Sequence, residues 1–295
     1  MKKTYIIGCL FFLLTSAYGQ GYQLSKETPF QPGEKIELKA SVGFIRAAEA
    51  TFSVSDVIYT INNKPTWKID INAKTVGVFD FFSSVRDNWG TYYDTTQLVP
   101  QQFYRYIKEG RFRKNEILYF DHKNDKVTVA KLHKETRRLE KTFEHNIPHN
   151  VQDMVSGYYY LRAIDFSKIK EGEVITINTF FDDKEKPFKV KFVGREVIDT
   201  KYGNIKAIVL VPMMKKDSLF VEDNTLKVWL SDDLNKIPLK FQAKIYVRKD
   251  DDVVVATSIM GLMMLGASLG SEITLQATGP DAEDALAALS RLVED

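Results

Sequence analysis

From Glu34 to Val247 apolar and polar residues alternate with a period of two, the mark of strands with one buried face and one solvated face. Ile36, Leu38, Ala40, Val42 and Phe44 alternate with Glu37, Lys39, Ser41 and Gly43, and Trp67, Ile69, Ile71 and Ala73 oppose Lys68, Asp70, Asn72 and Lys74. The rhythm returns in Phe188, Val190 and Phe192 and again in Leu239, Phe241, Ala243 and Ile245. Parallel strands buried on both faces would read as continuous apolar runs, so this pattern predicts antiparallel pairing. Turn residues divide the runs at short intervals: Asn62-Asn63-Lys64-Pro65, Lys108-Glu109-Gly110, Lys123-Asn124-Asp125, Lys201-Tyr202-Gly203-Asn204 and Ser231-Asp232-Asp233. The expected fold is mainly β, a curved antiparallel sheet or half-open barrel. One stretch breaks the rhythm. Val151, Met154, Val155, Tyr158, Leu161 and Arg162 fall at three-and-four spacing, which predicts a helix over 150–163 with Asn150 as its N-cap. A second short helix or turn is expected over 79–85.

Near Val247 the chain changes character. Every aromatic residue, from Tyr5 to Tyr246, lies before this seam. From Lys249 to Asp295, Lys249 and Arg291 stand against nine acids, a net −7 in a chain whose total is +2. Such asymmetry predicts a boundary, with a β-rich domain over 20–247 and a small α/β segment over 248–295. In that segment Val253-Val254-Val255 and Glu272 to Ala277 read as strands. Ser258 caps a short apolar turn, and Ala285, Leu286, Leu289, Leu292 and Val293 form the buried stripe of a closing helix. Val253 to Ala256 is placed to continue the sheet of the larger domain, and Arg248 and Lys249 at the join are an expected site of proteolytic nicking.

The first residues have the three parts of a secretory signal: Lys2 and Lys3, the apolar run Tyr5 to Leu14, and the small-residue exit Ser16-Ala17-Tyr18-Gly19. Residues 1–19 are therefore expected to be removed, leaving Gln20 at the terminus of an exported, periplasmic or secreted protein. The apolar run is too short to span hydrocarbon, so no transmembrane segment is expected after removal of the signal. Ile6-Ile7-Gly8-Cys9 superficially matches a lipidation box, but the apolar stretch that must precede the cysteine is missing. Cys9 is the single cysteine. Its loss with the signal excludes disulfides, thiolate metal sites and cysteine nucleophiles from the mature chain.

Five blocks carry a resemblance: GEKIELKASVGFIRAAEATF from Gly33, VFDFFSSVRDNWGTYYD from Val78, VQDMVSGYYYLRAIDF from Val151, GREVIDTKYGNIKA from Gly194 and VWLSDDLNKIPLKFQAKI from Val228. In this order they resemble the exported bacterial family known as domain of unknown function 3108. The resemblance implies a signal-bearing, β-rich envelope protein and assigns no catalytic residue. The tail, VVVATSIMGLMMLGASLGSEITLQATGPDAEDALAALSRLVED from Val253, resembles the C-terminal half of HPr, the histidine phosphocarrier of the sugar phosphotransferase system. The family's Gly-(Leu/Ile)-His-(Ala/Thr)-Arg-Pro segment occurs nowhere in the chain. Ser258 sits where that family has its regulatory phosphoserine, but the resemblance implies no phosphorelay here.

Candidate chemistry is sparse. His145 and His149 have the spacing of helical metal ligands, yet Pro148 between them prevents a regular helix, and His122 and His133 lack neighbouring ligand types. No metal and no cofactor are expected. Asp80, Arg86 and Asp87 flank a cluster of Phe79, Phe81, Phe82, Trp89, Tyr92 and Tyr93; the choice is between a ligand site and a core strand with an ion pair at its rim. Asp153 and Arg162 beside Tyr158, Tyr159 and Tyr160 pose the same choice. The basic stretch containing Arg105, Lys108, Arg111, Arg113, Lys114, Lys131, Lys134, Arg137, Arg138 and Lys141 is interleaved with tyrosines. An exported chain seldom meets nucleic acid, so a solvated face or an anionic envelope surface is expected rather than nucleic-acid binding. The functional expectation is noncatalytic binding of an apolar, glycolipid or glycan ligand of the envelope, lined by Phe79, Phe81, Phe82, Trp89 and Tyr92 with Arg86 at the rim. The competing classes are an envelope hydrolase using paired carboxylates and a phosphotransfer protein.

Overall fold

The computed structural model describes residues 21–42, 45–82, 84–213 and 226–243, together with the backbone of 245–249, 252–255 and 274–277. Residues 1–19, Ser258 and the expected closing helix lie outside the described residues.

Eight strands form one antiparallel meander in sequence order: β1 (Lys35–Val42), β2 (Ile45–Ile61), β3 (Lys64–Thr75), β4 (Arg86–Asp94), β5 (Pro100–Glu109), β6 (Phe112–Asp121), β7 (Lys126–Leu132) and β8 (Leu139–Asn146). Short α1 (Gly77–Phe82) fills the connection from β3 to β4, and α2 (Met154–Ala163) follows β8. A second antiparallel sheet has the order β15-β14-β13-β12-β9, built from β9 (Val174–Ile177), β12 (Phe188–Thr200), β13 (Gly203–Met213), β14 (Leu226–Ser231) and β15 (Pro238–Ala243). A two-stranded ribbon, β10 (Phe180–Phe181) and β11 (Lys184–Glu185), lies between β9 and β12 in the chain. The architecture is mainly β, with antiparallel sheets that do not close into a barrel.

Turn chemistry sets the register of the meander. Asn62 and Asn63 take φ of 51° and 58°, so Ile61 pairs directly with Lys64 across a two-residue hairpin of the kind whose twist matches the strands. Inner-face residues of β2 to β7 (Val54, Ile69, Phe103, Leu118, Val129) then meet Phe30, Val151, Val155 and Tyr159 in one core cluster. Helix α2 is shared between two cores. Val155 and Tyr159 pack on the eight-stranded sheet, while Leu161, with Ile164 and Phe166 just beyond the helix, packs on Ile175, Val190, Ile208 and Leu230 of the second sheet.

The start of α2 differs from the sequence expectation. Its N-cap is Asp153, whose carboxylate accepts from the backbone N–H of Val155 (2.7 Å) and Ser156 (2.8 Å), while Ser156 Oγ accepts from the Asp153 N–H. Asn150 instead takes a left-handed φ of 57° in the preceding turn. Thr91 Oγ1 of β4 donates to the other oxygen of Asp153 at 2.7 Å, which fixes the helix over the middle of the meander. At the far end Arg162, fully buried, donates to both carboxylate oxygens of Glu34 (2.7 and 2.8 Å) and to the carbonyls of Pro29 and Asn235. One guanidinium thus joins the N-terminal segment, α2 and the loop after β14.

The seam falls inside a strand. β16 (Ile245–Lys249) is the central member of a three-stranded sheet and pairs with β17 (Asp252–Val255) and β18 (Thr274–Ala277). The segment 252–255 therefore pairs with β16 rather than extending the five-stranded sheet from β15.

Candidate functional site

Burial on the inner face of the meander changes along each strand. On β3, Ile69 is completely buried beneath α2, whereas Ile71 and Ala73, two and four residues on, are half-exposed. On β2, Val54 is buried, and Phe52, Ala50 and Ala48 are half-exposed; on β4, Thr91 is buried and Trp89 half-exposed. Alternation puts these residues on the same face, and the register places them side by side. Ile36, Phe52, Ile71 and Trp89 are successive cross-strand partners, and Leu38, Ala50 and Ala73 make the next row. The helix fills one half of the inner face and its edge reaches the first of these rows, where Phe52 meets Tyr158 with ring centroids 5.5 Å apart and Ile71 and Trp89 pack against the core. Beyond it the row of Leu38, Ala50 and Ala73 leaves the other half only half-covered. That open half is apolar from β1 to β3, has small side chains at its centre, and ends on β4 at Trp89 and Asp87, roughly 14 Å across from three inter-strand spacings.

Beyond Trp89 the first of these rows becomes charged. Trp89 pairs with Arg105, Arg105 with Glu116, and Glu116 with Lys131. Arg105 and Glu116 are both nearly inaccessible and are joined through Arg105 Nε; Lys131 Nζ reaches the second Glu116 oxygen at 2.6 Å. Over this row lies the β10–β11 ribbon. Its turn residues Asp182 and Asp183 have φ of 51° and 60°, a geometry that aspartate tolerates. Asp182 accepts from Arg105 Nη2 and from Lys114 Nζ (2.7 Å), and Asp183 accepts from Lys131 Nζ (2.9 Å). Phe181 stacks on Trp89 with ring centroids 5.8 Å apart, and the Arg105 guanidinium lies 4.5 Å from the Phe181 ring centre. Burial raises the Asp182 carboxyl, but the hydrogen bonds from Arg105 and Lys114 outweigh it and hold the group well below the usual carboxylate range. Burial likewise opposes the charge on Lys131, yet hydrogen bonds to Asp183 and Glu116 hold its ammonium above its ordinary value.

The residues that sequence grouped into one lining are divided by the pleat. Trp89 is on the inner face, and Phe79 is half-buried on α1 at the end of β3. Phe81, on the same helix, is 87% exposed; of Phe82 only the backbone is described. Arg86 forms a two-pronged ion pair with Asp80 (2.6 and 2.8 Å), so it does not rim the Trp89 surface. Tyr92 faces the opposite side, in a run of rings with Tyr59, Tyr104 and Tyr106 spaced 5.4 to 6.3 Å apart. Asp153 and Arg162 serve a helix cap and a Glu34 pair, so they do not form a site together. The basic stretch is only partly a solvated face, because Arg105 is 2% exposed and Lys114 and Lys131 are drawn to the ribbon carboxylates. Sequence reading missed Glu116, Asp182 and Asp183. The available signal was Phe180-Phe181-Asp182-Asp183, two aromatics followed by two turn-forming acids.

Paired carboxyls do occur at the edge of the open half. Asp87, partner of Ala73, shares a hydrogen bond with the Glu109 side chain and accepts the Lys108 N–H at 3.0 Å; burial raises its carboxyl above the usual range. His149 lies 3.1 Å from Asp125, and no group of three metal-ligating side chains gathers among the described residues.

Fold and site together define a mainly β protein with open sheets and a half-covered inner face. The chain belongs to the family described as Protein of unknown function (DUF3108), whose model matches residues 37–248, and its C-terminal end belongs to the HPr family, through the PTS HPr component phosphorylation site model over residues 231–295. The phosphocarrier protein HPr of Cupriavidus necator is 33% identical over 81 residues, which are 28% of this chain and 91% of that protein. The HPr-like protein Crh of Bacillus subtilis is 43% identical over 56 residues, 19% of this chain and 66% of that protein. The HPr likeness thus reaches further than the C-terminal half carried by the tail motif. Among solved structures, a β-barrel-like protein of domain of unknown function DUF1849 from Brucella abortus aligns with 83% of this chain and 94% of its own at 8% identity and a TM-score of 0.41. A likeness that distant carries no functional argument.

Proposed function

We propose that the protein is an exported, noncatalytic carrier of an acyl-chain lipid of the cell envelope, held on the open half of the inner face. The observation that carries this reading is the change from buried to half-exposed apolar residues along β2, β3 and β4, centred on the cross-strand pair Ala50 and Ala73. A water-facing apolar surface with small central side chains suits a flexible chain, and burying eight methylenes there is worth about 6 kcal/mol before ordering costs. The signal-like residues 1–19 support placement in the envelope. The C-terminal HPr-like segment supports no phosphorelay, since the phosphorylated-histidine motif is absent from the sequence.

Filling the open half tests the reading. Ala73→Phe should leave the thermal transition within a few degrees of wild type, because the site is half-exposed, and should weaken binding of a fluorescent fatty-acid probe at least about tenfold. A wild-type protein that binds no acyl probe, and that carries no lipid when purified from its host envelope and examined by native mass spectrometry, would refute it. The Asp87–Glu109 pair favours a second reading, an envelope hydrolase in which one carboxyl is acid and the other base. Turnover of glycoside or ester probes by wild type and its loss in Asp87→Asn would establish that reading over the carrier.

A further inference from the structure

We infer that Arg105, Lys114 and Lys131 form a binding site for the anionic head group, a phosphate or carboxylate, of the lipid held on the open half, and that in the free protein the turn carboxylates of Asp182 and Asp183 occupy it. The inference rests on the acyl-chain reading and names the other end of that ligand.

Three observations meet here. The cationic row is continuous with the apolar one, since Trp89 and Arg105 are direct cross-strand partners. A chain lying across β1 to β4 would therefore end against a guanidinium. Three sheet cations, Arg105 and Lys131 in the row and Lys114 two residues along β6, surround one sheet carboxylate, Glu116, which leaves the sheet a surplus of two positive charges; Asp182 and Asp183 lie against it, with Lys186 of the ribbon also 3.6 Å from Asp182. Arg105 divides its donors accordingly, with Nε on Glu116 and Nη2 on Asp182. One edge of the guanidinium belongs to the sheet and the other to whatever lies above it.

The cover is itself slight. The β10–β11 ribbon has only two residue pairs, Phe180 with Glu185 and Phe181 with Lys184, and short isolated ribbons have little stability of their own. Its base is fixed, because Phe180 is buried in the core and its N–H donates to the Gln152 carbonyl at 2.9 Å. Its tip is held by the ion pairs and by the Phe181–Trp89 stack. A head group offering the same oxygens to the same donors can replace the tip without leaving Arg105 buried and unpaired, an arrangement that would be strongly unfavourable. An acyl chain arriving beside Trp89 competes with Phe181 at the same moment.

The test compares dodecyl phosphate, dodecanol and inorganic phosphate by calorimetry on the full chain. Wild type should bind dodecyl phosphate about tenfold more tightly than dodecanol. Asp182→Asn with Asp183→Asn keeps side chains suited to the left-handed turn, and should gain about a further tenfold for dodecyl phosphate with dodecanol unchanged. Lys114→Gln with Lys131→Gln should bind both probes alike. Circular dichroism confirms that each variant is folded. Equal binding of dodecanol and dodecyl phosphate by wild type would overturn the anion site and leave the apolar surface standing. Binding of neither would overturn the acyl-chain reading and this inference with it. Inorganic phosphate binding as tightly as dodecyl phosphate would overturn the head-group assignment, and an Asn pair without gain would overturn the role of the ribbon as stand-in.

Discussion

Gly90 offers a sharp check on the packing of the meander. It sits on the outer face of β4, and a Cβ added there would stand 2.3 Å from both Cζ and Oη of Tyr104, its cross-strand partner on β5. Tyr104 is 7% exposed, donates its hydroxyl to Asp70 Oδ1 and stacks on Tyr106 with centroids 5.4 Å apart. The ring must swing away in Gly90→Ala. Losing a hydrogen bond to a carboxylate costs about 1.5–3 kcal/mol and losing the stack about 0.5–1.5, so the substitution should cost roughly 2–4 kcal/mol and lower the melting temperature by roughly 5 to 15 °C. In a Tyr104→Ala background the obstacle is gone, and a methyl group on a strand glycine should then be neutral or slightly stabilising. Urea unfolding of the wild type, both single variants and the double variant gives the coupling directly, with an expected interaction of about 2 kcal/mol or more. An equal cost of Gly90→Ala in both backgrounds would refute the reasoning.

Burial pushes the Asp153 carboxyl up to about 6, despite the hydrogen bonds from Thr91, Ser156 and Val155, so between pH 4 and 6 the folded chain keeps a proton that the unfolded chain releases. Its contribution to stability is whole below about pH 4 and falls by about 3 kcal/mol as pH rises through 6; Asp153→Asn should flatten that slope in urea titrations stepped across the range. Arg162→Ala leaves Glu34 without its buried partner and should cost about 3–5 kcal/mol by chemical denaturation, with Lys a poor replacement because it cannot make the two-pronged contact. Because β16 is paired on both sides, limited trypsin should cut after Lys201, beside the 81% exposed Tyr202, well before Arg248 or Lys249; rapid release of a C-terminal fragment at the seam would contradict the three-stranded sheet.

The strand content was legible because each strand writes its own alternation, as in Trp67, Ile69, Ile71 and Ala73. What alternation cannot reveal is which residue stands opposite which. Arg105 reads as one more cation in a basic stretch until the register sets it between Trp89 and Glu116, and only then does its burial make sense. The cluster from Phe79 to Tyr92 misleads for the converse reason: neighbours on β4 point to opposite faces, and Phe79, Phe81 and Phe82 belong to α1 rather than to the strand. The ribbon 180–185 is too short for any periodic signal. Asn150 looks like a cap, but the acceptor that matters is set by where the backbone first turns helical, three residues later. The seam was visible as a change in composition, while the strand that crosses it was not, since composition does not report pairing.

Partial coverage by α2 separates two demands that most cores impose on the same residues. Val54, Ile69 and Tyr93 are locked into the packed half, where a change of volume damages the whole fold. Ala48, Ala50 and Ala73 lie further along the same strands and are half-exposed, so enlarging or trimming them alters the shape of the open half at little structural cost. On the proposed carrier reading, descendants of such a protein can retune the length and bulk of the bound chain by single substitutions at these alanines, each step passing through a folded intermediate, because the instructions for folding are written elsewhere on the strand.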